Sequence, residues 1–137
     1  MTETIAQLSL ASELKSIAAA TDKVVEIARE LGYGEDALFG IDMAVREAVT
    51  NAVLHGNRED ANVKFDMTIT HDAPDLMIAV RDRGEGFRPE EVADPTAIEN
   101  VLATSGRGIL FMRNFMDVVT WETHPQGGTI VRLTKRK

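Results

Sequence analysis

The sequence contains no cysteine, which excludes disulfide frameworks, cysteine zinc sites and thiol catalysis and allows a reducing compartment. Basic residues are outnumbered, 15 Lys and Arg against 22 Asp and Glu, for a formal net charge of −7. Such a surface repels phosphate backbones, so direct nucleic acid binding is not expected. No apolar run approaches the roughly 20 residues that a membrane helix needs, so no membrane partner is expected either. The N-terminal stretch MTETIAQLSLASELK has no basic lead and no long apolar segment, so a signal peptide is not expected and the cytoplasm is the expected location. Internal repeats and low-complexity tracts are lacking. What remains is 137 residues, 44% hydrophobic and 27% charged, enough for one domain with its own core.

The hydrophobic period changes along the chain. Ile5 to Leu10 alternates and reads as a short edge strand. Ser12 is placed to cap a helix on which Leu14, Ile17, Ala18, Val24, Val25, Ala28 and Leu31 recur, with Gly32 and Gly34 ending it. A second helix is expected from about Glu35 to His55, burying Leu38, Ile41, Val45, Ala48, Ala52 and Val53, and stopped by Gly56-Asn57. From Val63 the period becomes two: Val63, Phe65, Met67 and Ile69 alternate with polar residues, and Leu76 to Asp82 forms the second arm of a hairpin. A glycine- and proline-broken stretch follows, then a helix over about Arg107 to Phe115. Strands Val118 to Glu122 and Thr129 to Leu133 close the chain around a Pro125–Gly128 turn. The expected fold is an α/β two-layer sandwich, with a mixed, mostly antiparallel sheet covered by three helices on one face.

Three places have the residue types of a chemical site. Glu47, Asn51 and His55 lie four apart, and four residues of regular helix turn about 400°, so they share one ridge. A carboxylate, an amide and an imidazole on one ridge fit a metal with a base, and equally a solvated helix face. Asp82-Arg83-Gly84-Glu85-Gly86-Phe87 follows a strand. There an emerging Asp accepts from an exocyclic amine and glycines let backbone approach a ligand, although a plain turn has the same pattern. Ser105-Gly106-Arg107-Gly108-Ile109 leads a loop into a helix, where free N–H groups and the helix dipole favour an anion. It is neither a P-loop nor a dinucleotide fingerprint, because no Gly-Lys-Ser/Thr follows and the glycine spacing differs. Arg83, Arg88 and Arg107 are the cations available to phosphates, with Arg107 preferred and Arg83 and Arg88 read as facing solvent. Solvated turns account for His71 and His124. Phe111, Met112, Phe115 and Met116 are spaced for packing, and Trp121 suits either core or a partner contact.

Taken in order, these motifs resemble the boxes of the GHKL ATPase superfamily. Glu47-Ala-Val-Thr-Asn51-Ala-Val-Leu-His55-Gly56 resembles its N box. Asp82-x-Gly84-x-Gly86 resembles its first glycine box, Gly106-Arg107-Gly108 its second, and Gly128-Thr129 its late Gly-Thr on a strand. The wording is most similar to the small anti-sigma-factor serine/threonine-protein kinases of bacteria. The resemblance implies ATP or ADP as ligand and Mg²⁺ held by the amide oxygen of Asn51. It implies Glu47 as general base, and Asp82 as acceptor for the adenine amine with Gly84 and Gly86 beside the purine. A lid over Phe87–Ser105 is implied, and backbone donors from Ser105, Gly106, Gly108 and Ile109 toward the phosphates. Thr129 is implied near adenine. Some relatives carry an arginine just before the Ser-Gly of the second glycine box. Here that position is Thr104, so Arg107 takes the arginine role. The implied partners are a sigma factor and a STAS-type anti-anti-sigma protein, with a homodimer as the assembly. The alternative is a non-catalytic, ATP-binding partner switch. Glu47 favours catalysis, since a pure nucleotide sensor has no use for a base. A histidine kinase is expected to carry a dimerisation helix pair, and gyrase-like or mismatch-repair-like ATPases a transducer domain. Neither fits this length.

Overall fold

A computed structural model describes residues 2–58, 60–83 and 108–137. Strand β1 (Glu3–Ala11) leads into helix α1 (Leu14–Glu30) and helix α2 (Glu35–Thr50). A π-helical turn, Asn51–Gly56, continues α2. Strands β2 (Lys64–Asp72) and β3 (Asp75–Arg81) form a hairpin, and helix α3 (Gly108–Phe115) precedes β4 (Val118–Thr123) and β5 (Thr129–Arg136). The sheet order is β1-β2-β3-β5-β4, and every pair among the described strands is antiparallel. The mostly antiparallel sheet and the three helices agree with expectation; no parallel pair makes the sheet mixed.

Alternation along the strands builds the core. Phe65, Met67 and Ile69 of β2 and Leu76, Ile78 and Val80 of β3 all point to the helical side and are buried. Opposite them α2 contributes Leu38, Ile41, Ala44, Val45, Ala48 and Val49, with Ala52 and Val53 from the π turn. Each of the larger aliphatic side chains gains about 1.5–3 kcal/mol from leaving water, so this face of α2 anchors the helix that carries Glu47. Met112 and Met116 are buried as packing residues.

Three local expectations are corrected. Ser12 does not cap α1: Glu13 precedes the helix without a side-chain cap, and the Ser12 hydroxyl donates to the Val63 carbonyl at 2.5 Å. Leu14, assigned to the buried stripe, is 60% exposed because it opens the helix on the side away from the sheet, while Ala20, Val24, Ile27 and Ala28 are buried. His71 belongs to β2 and pairs with Glu3 and Leu76, so it lies in the sheet and not in a turn.

Tyr33 closes the α1–α2 corner. Its hydroxyl lies 2.9 Å from the Lys135 carbonyl and 3.0 Å from that of Pro74, tying the corner to the ends of β3 and β5. Burial, and then the neighbouring Asp75 carboxylate, hold this phenol above its ordinary pKa. The raised pKa makes its contribution fully present below the unfolded phenol value of about 10 and lost as pH rises through the folded value. Tyr33→Phe is expected to cost about 1 kcal/mol at neutral pH and to flatten the alkaline fall in melting temperature. Thermal melts from pH 8 to 11 read both effects. An alkaline fall as steep as in the parent would remove Tyr33 as its source.

Candidate functional site

The exit of β3 is held by the entry of β5. Arg81 pairs with Ile130 in the ladder, and just beyond it Asp82 is buried at 6% exposure, as is Thr129. The Asp82 N–H donates to the Thr129 carbonyl at 3.0 Å, and the Thr129 N–H donates to Asp82 Oδ1 at 3.2 Å. The two residues expected at the adenine end therefore form one reciprocal pair.

Two glycines press against this pair. A Cβ at Gly56 would fall within the Asp82 carboxyl group, and one at Gly128 would overlap the Asp82 carbonyl oxygen. Gly128 also has φ +88°, in the left-handed region that L side chains rarely adopt. The end of the π turn, the exit of β3 and the entry of β5 thus converge on Asp82, with Gly56 against its carboxyl group and Gly128 against its backbone carbonyl.

Glu47 and Asn51 stand on the helical side, both half-buried. Glu47 lies in the last turn of α2 and Asn51 opens the π turn, so the four-residue spacing puts them on adjacent turns of one face. Beyond Asn51 the helix widens: the Asn57 N–H donates to the Ala52 carbonyl at 2.8 Å, five residues back. Widened turns of this kind occur often at functional sites.

The donor set fits a small hard cation beside phosphates. Among the described residues no group of three or more His, Cys, Asp or Glu could hold a metal, and Mg²⁺ beside a nucleotide keeps several waters and needs few protein oxygens. A single amide oxygen from Asn51 suits that requirement. The lack of a Cβ at Gly56 and Gly128 leaves room for Asp82 itself, whose carboxyl group and carbonyl fill those spaces.

Of the remaining expected site residues, Gly108 and Ile109 form the first turn of α3. Gly84, Gly86, Ser105, Gly106 and Arg107 lie outside the described residues, as do Arg88, Thr104 and the expected lid over 87–105. Arg83 points away from the pair: its Nε and Nη2 donate to Asp66 Oδ2 at 3.0 and 2.6 Å, and its side chain is 43% exposed. Trp121 packs at the core edge with the Arg113 guanidinium 5.4 Å from its ring centroid.

A buried polar residue beside Asp82 has no clear mark in the sequence: Asn57, part of the expected helix stop, is 4% exposed, and its Oδ1 accepts from the Arg83 N–H at 2.8 Å. The only sequence signal was an amide after a helix-ending glycine, which is common in exposed caps.

Comparison with known proteins identifies the family. Residues 10–135 match the histidine kinase-like ATPase domain family. An anti-sigma F factor of Bacillus velezensis is 36% identical over 131 residues, covering 94% of this chain and 88% of the relative. One from Bacillus subtilis is 35% identical and one from Geobacillus stearothermophilus 36%, with the same coverage. Among solved structures, a Mycobacterium tuberculosis protein comprising RsbU and RsbW domains superimposes with a TM-score of 0.64 at 20% identity. That match covers 96% of this chain and 32% of the solved one and supports the fold.

Proposed function

This chain belongs to the histidine kinase-like ATPase domain family, and from that premise we propose that it is an ATP-dependent anti-sigma-factor serine/threonine-protein kinase. It sequesters a sigma factor and phosphorylates a serine of a STAS-type anti-anti-sigma protein. The observation that supports this most is the buried Asp82–Thr129 pair with the Gly56 and Gly128 backbones against it. A buried carboxylate at a strand end, held in place by neighbouring backbone, suits an adenine amine.

Each residue then has one task. Asp82 accepts from the exocyclic amine of adenine, with Thr129, Gly84 and Gly86 beside the purine. Mg²⁺, held by the amide oxygen of Asn51, supplies neutralisation of triphosphate charge when bound. Backbone N–H groups of Ser105, Gly106, Gly108 and Ile109 orient the phosphates, and Arg107 meets the charge that spreads over the transferring group. Glu47 takes the proton of the serine hydroxyl as its oxygen bonds to the γ-phosphorus and the bond to the ADP oxygen breaks.

The direct test incubates the protein with labelled ATP and a STAS-domain partner recovered from the source cells. Label on a partner serine supports the kinase reading. ATP-dependent capture of the partner without label would replace it with the non-catalytic switch, and Thr104 would be the first position to examine.

The domain is proposed to act in the cytoplasm as a homodimer; no described helix is long and apolar enough to cross a membrane. β1 is an edge strand of the sheet, and an edge strand offers unpaired backbone groups to a second chain. Light scattering is expected to give twice the 15.0 kDa of the chain. A monomer mass at micromolar concentration, with and without nucleotide, would exclude this assembly.

A further inference from the structure

The Asn57 side-chain amide bonds to three separate parts of the chain, and its backbone N–H to a fourth. Its Nδ2 donates to Ser12 Oγ at 2.8 Å and to the Lys64 carbonyl at 3.3 Å. Its Oδ1 accepts from the Arg83 N–H at 2.8 Å, while its own N–H donates to the Ala52 carbonyl. Ser12, fully buried, passes the chain on by donating to the Val63 carbonyl. One planar group thus ties together the ends of β1 and the π turn, the start of β2 and the exit of β3. Only a carboxamide places two donors and an acceptor on so short a stem. The neighbours also fix which way the amide points, since the reverse orientation would set its NH₂ against the Arg83 N–H.

The acceptor end has a purpose that the donor end lacks. Asp82 is bound on one side through its own N–H and Oδ1 to Thr129, and Arg83, the next residue, is held on the other side by Asn57. The backbone leaving β3 is therefore clamped from β5 and from the π turn at once. With the backbone at 82–83 held on both sides, the carboxylate it carries is placed before a ligand binds.

We propose that Asn57 is a positioning residue of the nucleotide site, orienting Asp82 by clamping the Arg83 N–H. This rests on the reading of Asp82 as the adenine acceptor. Asn57 touches neither nucleotide nor phosphoryl acceptor; it acts through the backbone at 82–83. Its loss should therefore appear in nucleotide affinity and KM for ATP, with kcat at saturating ATP retained, because Glu47 and Asn51 are untouched.

The test sets the two ends of the amide against each other. Asn57→Ala removes both, whereas Ser12→Ala cuts the donor end and leaves the Arg83 clamp in place. Calorimetry with ADP is expected to show about tenfold weaker binding for Asn57→Ala, the equivalent of one lost buried hydrogen bond. Ser12→Ala should lower the melting temperature yet bind ADP within about threefold of the parent, since its lost bond lies outside the clamp. A second pair keeps Asn57 in place if its substitution does not fold. Arg83→Pro removes the clamped N–H and should match Asn57→Ala in ADP affinity. Arg83→Ala keeps that N–H and should bind ADP like the parent. The proposal is overturned if Asn57→Ala or Arg83→Pro binds ADP as the parent does. It is equally overturned if Ser12→Ala weakens ADP as much as Asn57→Ala for the same loss of stability. Failure of the parent itself to bind ADP would remove the adenine reading along with the proposal, whereas parent binding with an indifferent Asn57→Ala removes the proposal alone.

Discussion

Glu47→Ala is expected to lower phosphoryl transfer to a STAS-type serine by about 10²–10⁴ while leaving ATP affinity within about twofold. The split follows from where the carboxylate stands. Glu47 lies in the last turn of α2, on the same face as Asn51 and one turn before it. On the proposed reading Asn51 would hold the metal and Glu47 the attacking hydroxyl, so the carboxylate would touch the attacking group and not the nucleotide. Asn51→Ala is expected to lower Mg-dependent nucleotide binding and transfer together, because on the proposed reading its amide oxygen would be the protein's ligand to the ion. Single-turnover transfer and calorimetry in Mg²⁺ and in EDTA distinguish the two variants. A solvated polar ridge predicts that neither substitution changes either quantity, and that outcome would remove both assignments.

Asp82→Asn is expected to weaken ADP binding by up to about a hundredfold, from the 1–3 kcal/mol cost of an unmatched buried polar group. One oxygen of the carboxylate already accepts from the Thr129 N–H. In the Asn variant the remaining oxygen would keep that bond and turn an NH₂ toward the adenine amine, donor against donor. Rotating the amide would satisfy adenine and orphan Thr129 instead. Gly56→Ala reaches the same carboxylate by steric means, since its Cβ would fall within the Asp82 carboxyl group. It is expected to weaken ADP by at least about tenfold, because Asp82 must leave its pairing with Thr129 to make room. Calorimetry on both variants tests the assignment. Unchanged ADP affinity in Asp82→Asn would sink it, whereas unchanged affinity in Gly56→Ala alone would show that the π turn can yield.

Legibility followed the range of the physics involved. The alternation of Phe65, Met67 and Ile69 against Lys64, Asp66 and Thr68 required a strand with one buried face, and the structure has it. The spacing of Leu38, Ile41, Val45 and Ala48 required one buried helix face, and all four are buried, with Glu47 half-buried on the same helix. Ser12 and Leu14 were misread because capping and burial at a helix start depend on what lies beside that end. A serine is a good cap only when no better partner is near, and here the Val63 carbonyl is nearer. The wide turn at Asn51–Gly56 had no signature in the 3.6-residue pattern, which continues through it.

Local pattern by itself determined the element types, their buried faces, and the motif order that carries the resemblance to the family. Each of these depends on neighbours within a few residues along the chain. The convergence on Asp82 was decided by tertiary structure alone. Gly56 and Gly128 are 72 positions apart, and nothing local says that both must lack a Cβ for the sake of the same residue. Asn57 is the sharper case. A polar residue after a helix-ending glycine reads the same whether it faces water or is buried. Only the approach of β1, β2 and β3 to that point turns the amide into a four-way junction. Burial of a hydrogen-bonding group is a property of everything packed around it, so it appears once the chain has folded.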